Sequence, residues 1–208
     1  MTEAAGNHLG PEFAEAVAYT IDAHGEQVRK ATDITYVSHL LSVAALVLEM
    51  GSNEDEAIAG LLHDTIEDAG GPEREADIAR RFGPEVAALV RANSDTDVVP
   101  KPPWLQRKRA YIDGIAVKPP AAVRISIADK LHNARSILDD FRRHGPQVFD
   151  RFSSDADGHF ASKREGLLWY YESLIDAFAA RSNEIGPGAA AKLEDLREAV
   201  GDLRRVSG

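Results

Sequence analysis

The sequence predicts an all-α protein. Apolar residues recur at three- and four-residue intervals in most segments of the chain, which is the period of an amphipathic helix. Glycine and proline separate these segments, and no internal repeat, low-complexity run or linker divides them. With 208 residues, of which 44% are hydrophobic and 28% charged, the chain has the size and composition of one well-cored domain.

The N-terminal residues 1–10 contain two glycines and no apolar periodicity, so we expect a flexible tail there and a single domain over residues 11–208. Pro11 suits the first turn of a helix, and apolar residues then follow at fourfold spacing up to about Gln27. His24 lies near the end of this predicted helix. We expect it to interact only with the C-terminal carbonyl groups.

The next segment, residues 28–38, has β-branched residues without a helical period, which indicates a loop. It carries Arg29 and Lys30. Residues 39–50 are almost wholly apolar and predict a deeply buried helix that begins at His39 and ends at Gly51.

A further helix is predicted from Glu54 to Gly70, with Ser52 or Asn53 as its N-cap. We expect residues 94–103 to be a loop, because they hold three prolines, and residues 144–159 to be irregular. The total comes to about eight or nine helices. The remaining predicted helices are residues 73–82, 84–93, 104–117, 120–141, 160–182 and 189–206. Gly83 separates the first two of these, and a break at Gly186 precedes the last.

Charge and composition exclude several classes of function. The formal net charge of -10 argues against general binding to nucleic acid, although one small anionic ligand is compatible with it. The absence of cysteine excludes disulfides, thiolate zinc sites and cysteine nucleophiles, and leaves histidine and carboxylates as metal ligands. The N-terminus does not resemble a secretory signal, and no apolar run approaches the roughly 18 residues of a membrane span. We therefore expect a cytoplasmic protein.

The most informative stretch is residues 61–70, LLHDTIEDAG, where four titratable groups occupy six positions. In a continuous helix, His63 and Glu67 would share one i,i+4 ridge, and Asp64 and Asp68 would share the adjacent one. Such crowding is costly without a cation, so the stretch indicates a metal site. The alternative interpretation is a helix end with solvated carboxylates and a partly packed histidine.

Two other buried helices offer further ligands. His39 lies at the start of an apolar helix, where the alternative to a ligand is a hydrogen-bonded core histidine. Asp129 lies among isoleucine and leucine residues and needs a cation or several donors to offset its desolvation, and Asn133 shares its helix face. A set of imidazoles and carboxylates suits Mn²⁺ or Fe²⁺ better than structural zinc. The candidate ligands are His39, His63, Asp64 and Asp129.

These residues resemble the HD phosphohydrolase superfamily, in which the order is His, then His-Asp, then Asp. HDTIED at residues 63–68 and ADKLHNAR at residues 128–135 are similar to the hydrolase domain of the RelA/SpoT alarmone enzymes. Arg29 and Lys30 precede a Tyr-x-x-His segment, residues 36–39, as in that family. The resemblance covers about residues 11–180 and implies an HD-domain helical bundle. The chain has no room for the family's synthetase and regulatory domains, so it is similar to a stand-alone small alarmone hydrolase.

For such a protein the resemblance implies Mn²⁺-dependent removal of the 3′-pyrophosphate from ppGpp or pppGpp, yielding GDP or GTP. It assigns the four candidate ligands to the metal and Glu67 and Asp68 to the handling of water and protons. It also assigns Arg29, Lys30 and Asn133 to nucleotide contacts. The family's Gly-x-Pro-Tyr is replaced here by residues 33–36, DITY, in the loop that would hold the base.

Two other functions stay open at this point. One is an HD phosphohydrolase that acts on another nucleotide, such as a ppApp-type alarmone or NADPH. The other is a nucleotide-binding protein with reduced catalysis. Glu67 and Asp68 argue against it, because binding alone does not need two more carboxylates beside a metal. We expect a small-molecule partner, with no nucleic acid and no membrane, and the sequence leaves homo-oligomerisation open.

Overall fold

The structure is a computed structural model that describes residues 8–30, 32–94, 100–154 and 158–208, apart from the side chains of residues 68 and 69. The described residues form α-helices and short 3₁₀-helices, and the predicted all-α class is confirmed. Among them the only β-type pairing is an isolated antiparallel bridge between Val28 and Thr35. None of the described helices is both long enough and apolar enough to cross a membrane.

The chain divides into two compact units, Met1–Ser94 and Asp95–Gly208, which we call the N-terminal and C-terminal units. The prediction of a single domain over residues 11–208 stays a prediction. Of the predicted tail, residues 1–7 lie outside the described residues, whereas Gly10 already donates its backbone N–H to the Glu54 carboxylate at 2.6 Å.

The N-terminal unit is built around its third helix, which contacts α1, α2 and α5. The Asn53 side chain accepts a hydrogen bond from Glu56 N at 3.0 Å, so the predicted cap is Asn53. From Ala57 to Leu62 every residue is buried. The helices of this unit are α1 (Pro11–His24), α2 (Val37–Glu49), α3 (Glu54–Leu62), α4 (Thr65–Ala69) and α5 (Gly71–Asn93).

In the C-terminal unit, α7 packs along α9, and α8 contacts both of them. Short 3₁₀-helices, Ile115–Val117 and Gly145–Arg151, precede and follow α7. The second of these occupies part of the segment that the sequence predicted to be irregular. The helices of this unit are α6 (Trp104–Gly114), α7 (Pro120–His144), α8 (Lys163–Ala179) and α9 (Ser182–Ser207).

Two helix breaks predicted at glycine are confirmed. Gly83 interrupts α5 with a φ of 90°, and Gly186 interrupts α9 with a φ of 81°. A proline follows each of these glycines, so the chain resumes the helix at a residue that needs no N–H donor.

The predicted continuous helix from residue 54 to residue 70 is wrong. Instead α3 ends at Leu62, residues 63 and 64 form a turn, and α4 begins at Thr65. The His63 ring contributes to this break, because its Nδ1 lies 2.8 Å from the Gly60 carbonyl oxygen, the group that would accept the Asp64 N–H in a continuous helix.

Candidate metal centre

The close approach of α3 to α2 brings His39 and His63 together. His39 is 1% exposed and His63 is 2% exposed. One nitrogen of each ring lies within 4.8 Å of the other, and the ring centroids are 5.2 Å apart. Gly60 lies where α3 packs on α2, since a Cβ added there would contact the Val47 side chain at 3.4 Å. The sequence predicted both histidines as ligands, and the N-terminal unit places them side by side.

Asp64 is the third group in this cluster. Its Oδ2 lies 3.1 Å from His63 Nε2 and 3.9 Å from His39 Nε2. The same oxygen accepts a hydrogen bond from the hydroxyl of Tyr36. Two imidazole nitrogens and one carboxylate oxygen therefore converge on one point, which we call the candidate metal centre (His39, His63 and Asp64).

Hydrogen-bond chemistry fixes which nitrogen of His63 carries the proton. Its Nδ1 lies 2.8 Å from the Gly60 carbonyl oxygen, which only accepts, so Nδ1 is the donor. In the neutral ring, Nε2 then directs a lone pair at the Asp64 carboxylate 3.1 Å away. Two acceptors at that distance repel unless a cation lies between them. A divalent metal ion fits the position, because a carbonyl-bonded Nδ1–H is the usual arrangement behind a histidine that ligates through Nε2.

Side chains from α1 and the following loop support the candidate metal centre. The His24 ring is buried, with Nε2 3.3 Å from Thr65 Oγ1 and Nδ1 2.7 Å from Gln27 Oε1. Tyr36 lies between two histidines, with ring centroids 5.7 Å from His24 and 5.4 Å from His39. The expectation that His24 interacts only with carbonyl groups is wrong. It bonds instead with the residue that follows Asp64.

Glu67 lies on α4, half-buried, three residues after Asp64. The side chain of Asp68 lies outside the described residues. The prediction that His63 pairs with Glu67, and Asp64 with Asp68, along helix ridges required one continuous helix. Because residues 63 and 64 form a turn, that prediction is wrong. The roles of Glu67 and Asp68 in handling water and protons stay predictions.

Arg29 and Lys30 belong to the loop that ends at Tyr36. The loop is closed by a hydrogen bond from Tyr36 N to Gln27 O and another from Arg29 N to Ile34 O, each 2.8 Å long. Arg29 is half-buried and Lys30 is exposed. Both basic residues are therefore held on the same short loop as the tyrosine that hydrogen-bonds to Asp64.

Asp129 lies on α7 in the C-terminal unit and is 7% exposed. Asn133 Nδ2 donates to Asp129 Oδ1 at 2.5 Å, which confirms that the two side chains share a helix face. Lys130 Nζ donates to the other oxygen, also at 2.5 Å. The sequence reasoning missed this lysine. Because Lys130 supplies a cation and Asn133 a donor, the burial of Asp129 does not by itself require a metal ion.

Two lysine ammonium groups and two tyrosines shift one another's pKa values around Asp129. Burial alone would lower the pKa of Lys130, but the Asp129 carboxylate beside it holds that pKa well above its ordinary value. Burial would likewise raise the pKa of Tyr111. The ammonium groups of Lys118 and Lys130 outweigh that effect and lower the Tyr111 pKa. The raised Lys130 pKa reflects its pairing with Asp129, and the lowered Tyr111 pKa shows that the two ammonium groups favour negative charge at the Tyr111 hydroxyl.

The fold and the His/His-Asp cluster define a class of protein. The family model described as the HD domain matches residues 16–158, and the chain belongs to the HD domain family. Within it the chain is homologous to the guanosine-3′,5′-bis(diphosphate) 3′-pyrophosphohydrolase MESH1 and to the hydrolase domain of the SpoT/RelA enzymes. The resemblance inferred from HDTIED and ADKLHNAR is confirmed.

Two relatives illustrate the homology, and one solved structure illustrates the fold. The MESH1 protein of Drosophila melanogaster is 34% identical over 129 residues, which cover 61% of this chain and 69% of that protein. The Homo sapiens MESH1 is 33% identical over 135 residues, covering 62% of this chain and 73% of that protein. The structure of a metazoan ortholog of SpoT, described as hydrolysing ppGpp, superposes with a TM-score of 0.71 at 24% identity. The superposed residues cover 93% of this chain and 98% of the chain in that structure. This likeness shows the fold alone.

Proposed function

We propose that the protein is a metal-dependent 3′-pyrophosphohydrolase of guanosine alarmones, which converts ppGpp or pppGpp into GDP or GTP and pyrophosphate. The observation that carries the proposal is the convergence of His39 Nε2 and His63 Nε2 on Asp64 Oδ2 in the N-terminal unit. The homology to MESH1 proteins of that named activity supports the choice of substrate.

The metal of this proposal is Mn²⁺, held by His39, His63, Asp64 and Asp129. The first three are supported by their geometry and by the hydrogen bond that directs His63 Nε2 toward Asp64. Asp129 is supported by its place in the ADKLHN segment and by its burial. Its carboxylate has about four acceptor positions, and the bonds from Lys130 and Asn133 leave room for a metal. When bound, such a metal activates water and polarises a phosphoryl oxygen.

The reaction replaces one P–O bond by another. The oxygen of water bonds to the phosphorus attached to the 3′-oxygen, the bond between that phosphorus and the 3′-oxygen breaks, and pyrophosphate leaves. Water loses a proton and the 3′-oxygen gains one. Glu67 and Asp68 are the groups proposed to accept and return that proton, and Arg29, Lys30 and Asn133 are proposed to hold the nucleotide.

The test is a turnover assay with purified protein and Mn²⁺, in which the nucleotides are separated by anion-exchange chromatography and the released pyrophosphate is measured. We expect ppGpp to yield equimolar GDP and pyrophosphate, and EDTA to stop the reaction. The same assay includes ppApp and NADPH. Turnover of either of these, with none of ppGpp, would refute the proposed substrate and favour another nucleotide.

A further inference from the structure

A group of polar side chains in the C-terminal unit has no role in the reaction proposed so far. Ser126 lies on α7, one helical turn before Asp129, and is fully buried. Its Oγ lies 3.0 Å from the Tyr111 hydroxyl and accepts a hydrogen bond from Lys118 Nζ at 3.2 Å. The Lys118 ammonium also lies over the Tyr111 ring, 3.8 Å from the centroid. We call Tyr111, Lys118 and Ser126 the Lys118 cluster.

Among the described residues, the Lys118 ammonium contacts the Ser126 hydroxyl and the Tyr111 ring, which are both neutral. Within the part of the chain that the structure describes, no carboxylate lies at salt-bridge distance from its Nζ, whereas neighbouring Lys130 is paired with Asp129. Lys118 and Lys130 together with Asp129 carry two positive charges and one negative charge. Within this group of three described residues, the half-buried Lys118 therefore carries a positive charge that no carboxylate of the group pairs with. A half-buried cation of this kind favours an anion as its partner.

The main chain at Lys118 is held in place. Arg181 at the start of α9 donates hydrogen bonds to the Ile115 carbonyl oxygen at 2.5 Å and to the Lys118 carbonyl oxygen at 3.1 Å. The same guanidinium is paired with Glu184 at 2.6 Å. The 3₁₀-helix that leads to Lys118 is thus fixed at both its ends. A positively charged group that is positioned before the ligand arrives loses less conformational entropy on binding.

A buried hydroxyl beside this group points to the same kind of ligand. Tyr170 on α8 is 6% exposed, and its hydroxyl has no hydrogen-bond partner among the described residues. It interacts electrostatically with Lys130 and with Tyr111. A buried phenol is ordinarily hydrogen-bonded, so this donor is available to an acceptor that enters from outside the protein.

We propose that the Lys118 cluster binds a phosphoryl oxyanion, namely the pyrophosphate group that the reaction removes. The identity of the anion rests on the proposed function. Lys118 supplies an ammonium donor, and the hydroxyls of Tyr170 and Tyr111 supply phenol donors. Lys130 links the cluster to Asp129, a proposed ligand of the metal that polarises the attacked phosphoryl group. The nucleotide's 5′-phosphates have the same chemistry, and the proximity to Asp129 favours the 3′-pyrophosphate over them.

The experiment measures binding of inorganic pyrophosphate, and separately of GDP, by isothermal titration at a fixed Mn²⁺ concentration. We expect Lys118→Met to weaken pyrophosphate binding by about tenfold or more, because a hydrogen bond from a charged donor is lost. The change should leave GDP binding close to that of the wild type. Lys118→Arg should restore most of the affinity. The matched control is Lys192→Met, which removes a half-buried lysine of α9 that lies 3.9 Å from Asp195.

Unchanged pyrophosphate affinity in Lys118→Met would overturn the proposal, and so would an equal loss in Lys192→Met or a loss confined to GDP. If Lys118→Met does not fold, as judged by its thermal transition, Lys118→Gln and Tyr111→Phe supply the same comparison. Turnover of ppGpp is measured on the same samples. Pyrophosphate binding that depends on Lys118, in a wild-type protein without turnover, would refute the hydrolase and retain the subsite. Normal turnover of ppGpp, together with pyrophosphate binding that does not depend on Lys118, would retain the hydrolase and refute the subsite.

Discussion

Replacing Tyr36 by phenylalanine removes one hydroxyl from the candidate metal centre and keeps the ring that packs between His24 and His39. That hydroxyl donates to Asp64 Oδ2, the oxygen that His63 Nε2 faces at 3.1 Å. A hydrogen bond to a charged group contributes about 1.5–3 kcal/mol, which corresponds to a factor of about 10 to 150 in an equilibrium constant. Loss of a group that orients a metal ligand costs about 10–100-fold in metal affinity or activity. We therefore expect Tyr36→Phe to weaken Mn²⁺ binding by about 10–100-fold.

The assay is a titration of each apoprotein with Mn²⁺, in which free Mn²⁺ is followed by electron paramagnetic resonance. Tyr19→Phe is the matched control, because the Tyr19 hydroxyl also donates to a carboxylate, that of Asp77 at 3.0 Å, and accepts from Arg74 at 3.2 Å. It should lower the thermal midpoint and leave Mn²⁺ affinity unchanged. The reasoning is refuted if Tyr36→Phe binds Mn²⁺ as tightly as the wild type, or if the two variants lose the same affinity.

Three further predictions concern the proposed reaction. Glu67→Gln should reduce turnover by about 10²–10⁴-fold with Mn²⁺ affinity near that of the wild type, since an amide does not accept the proton; wild-type turnover in the assay of pyrophosphate release would contradict it. Asp129→Asn should lose bound manganese and activity together, as measured by metal analysis and the same assay, and full retention of both would remove it as a ligand. Arg29→Ala should raise KM more than it lowers kcat, and an unchanged KM would leave it a surface charge.

Local sequence patterns predicted most of the helical fold, because helix periodicity, N-caps and glycine breaks are encoded by neighbouring residues. Asn53 caps α3, and Gly83 and Gly186 break α5 and α9 as predicted. The break after Leu62 was missed. The apolar pattern continues at helical spacing from Leu62 to Ile66, and the turn depends on the His63 ring reaching the Gly60 carbonyl oxygen, which periodicity does not encode.

The candidate site was predictable in its residue types and less so in its supporting contacts. Histidine and carboxylate are the ligands available to a chain without cysteine, so the sequence singles out His39, His63 and Asp64. The groups that orient them come from far along the chain. Tyr36 bonds with a residue 28 positions away, and His24 bonds with a residue 41 positions away. Such pairs become visible only when the helices are packed.

Asp64 and Asp129 show how far the burial of a carboxylate can identify a metal ligand. The same desolvation argument applies to both, since each requires a positive partner or several donors. At Asp129 an adjacent lysine and an asparagine one turn later satisfy the requirement. At Asp64 the nearest imidazole nitrogen belongs to a ring whose Nδ1 donates to a backbone carbonyl. Either a metal ion or a second proton on this ring must therefore lie between Nε2 and the carboxylate. The geometry at Asp64 therefore supports the proposed metal ligation more directly than the geometry at Asp129 does. Asp129→Asn is the substitution that tests whether the ADKLHN segment supplies a ligand or only a lysine–aspartate pair.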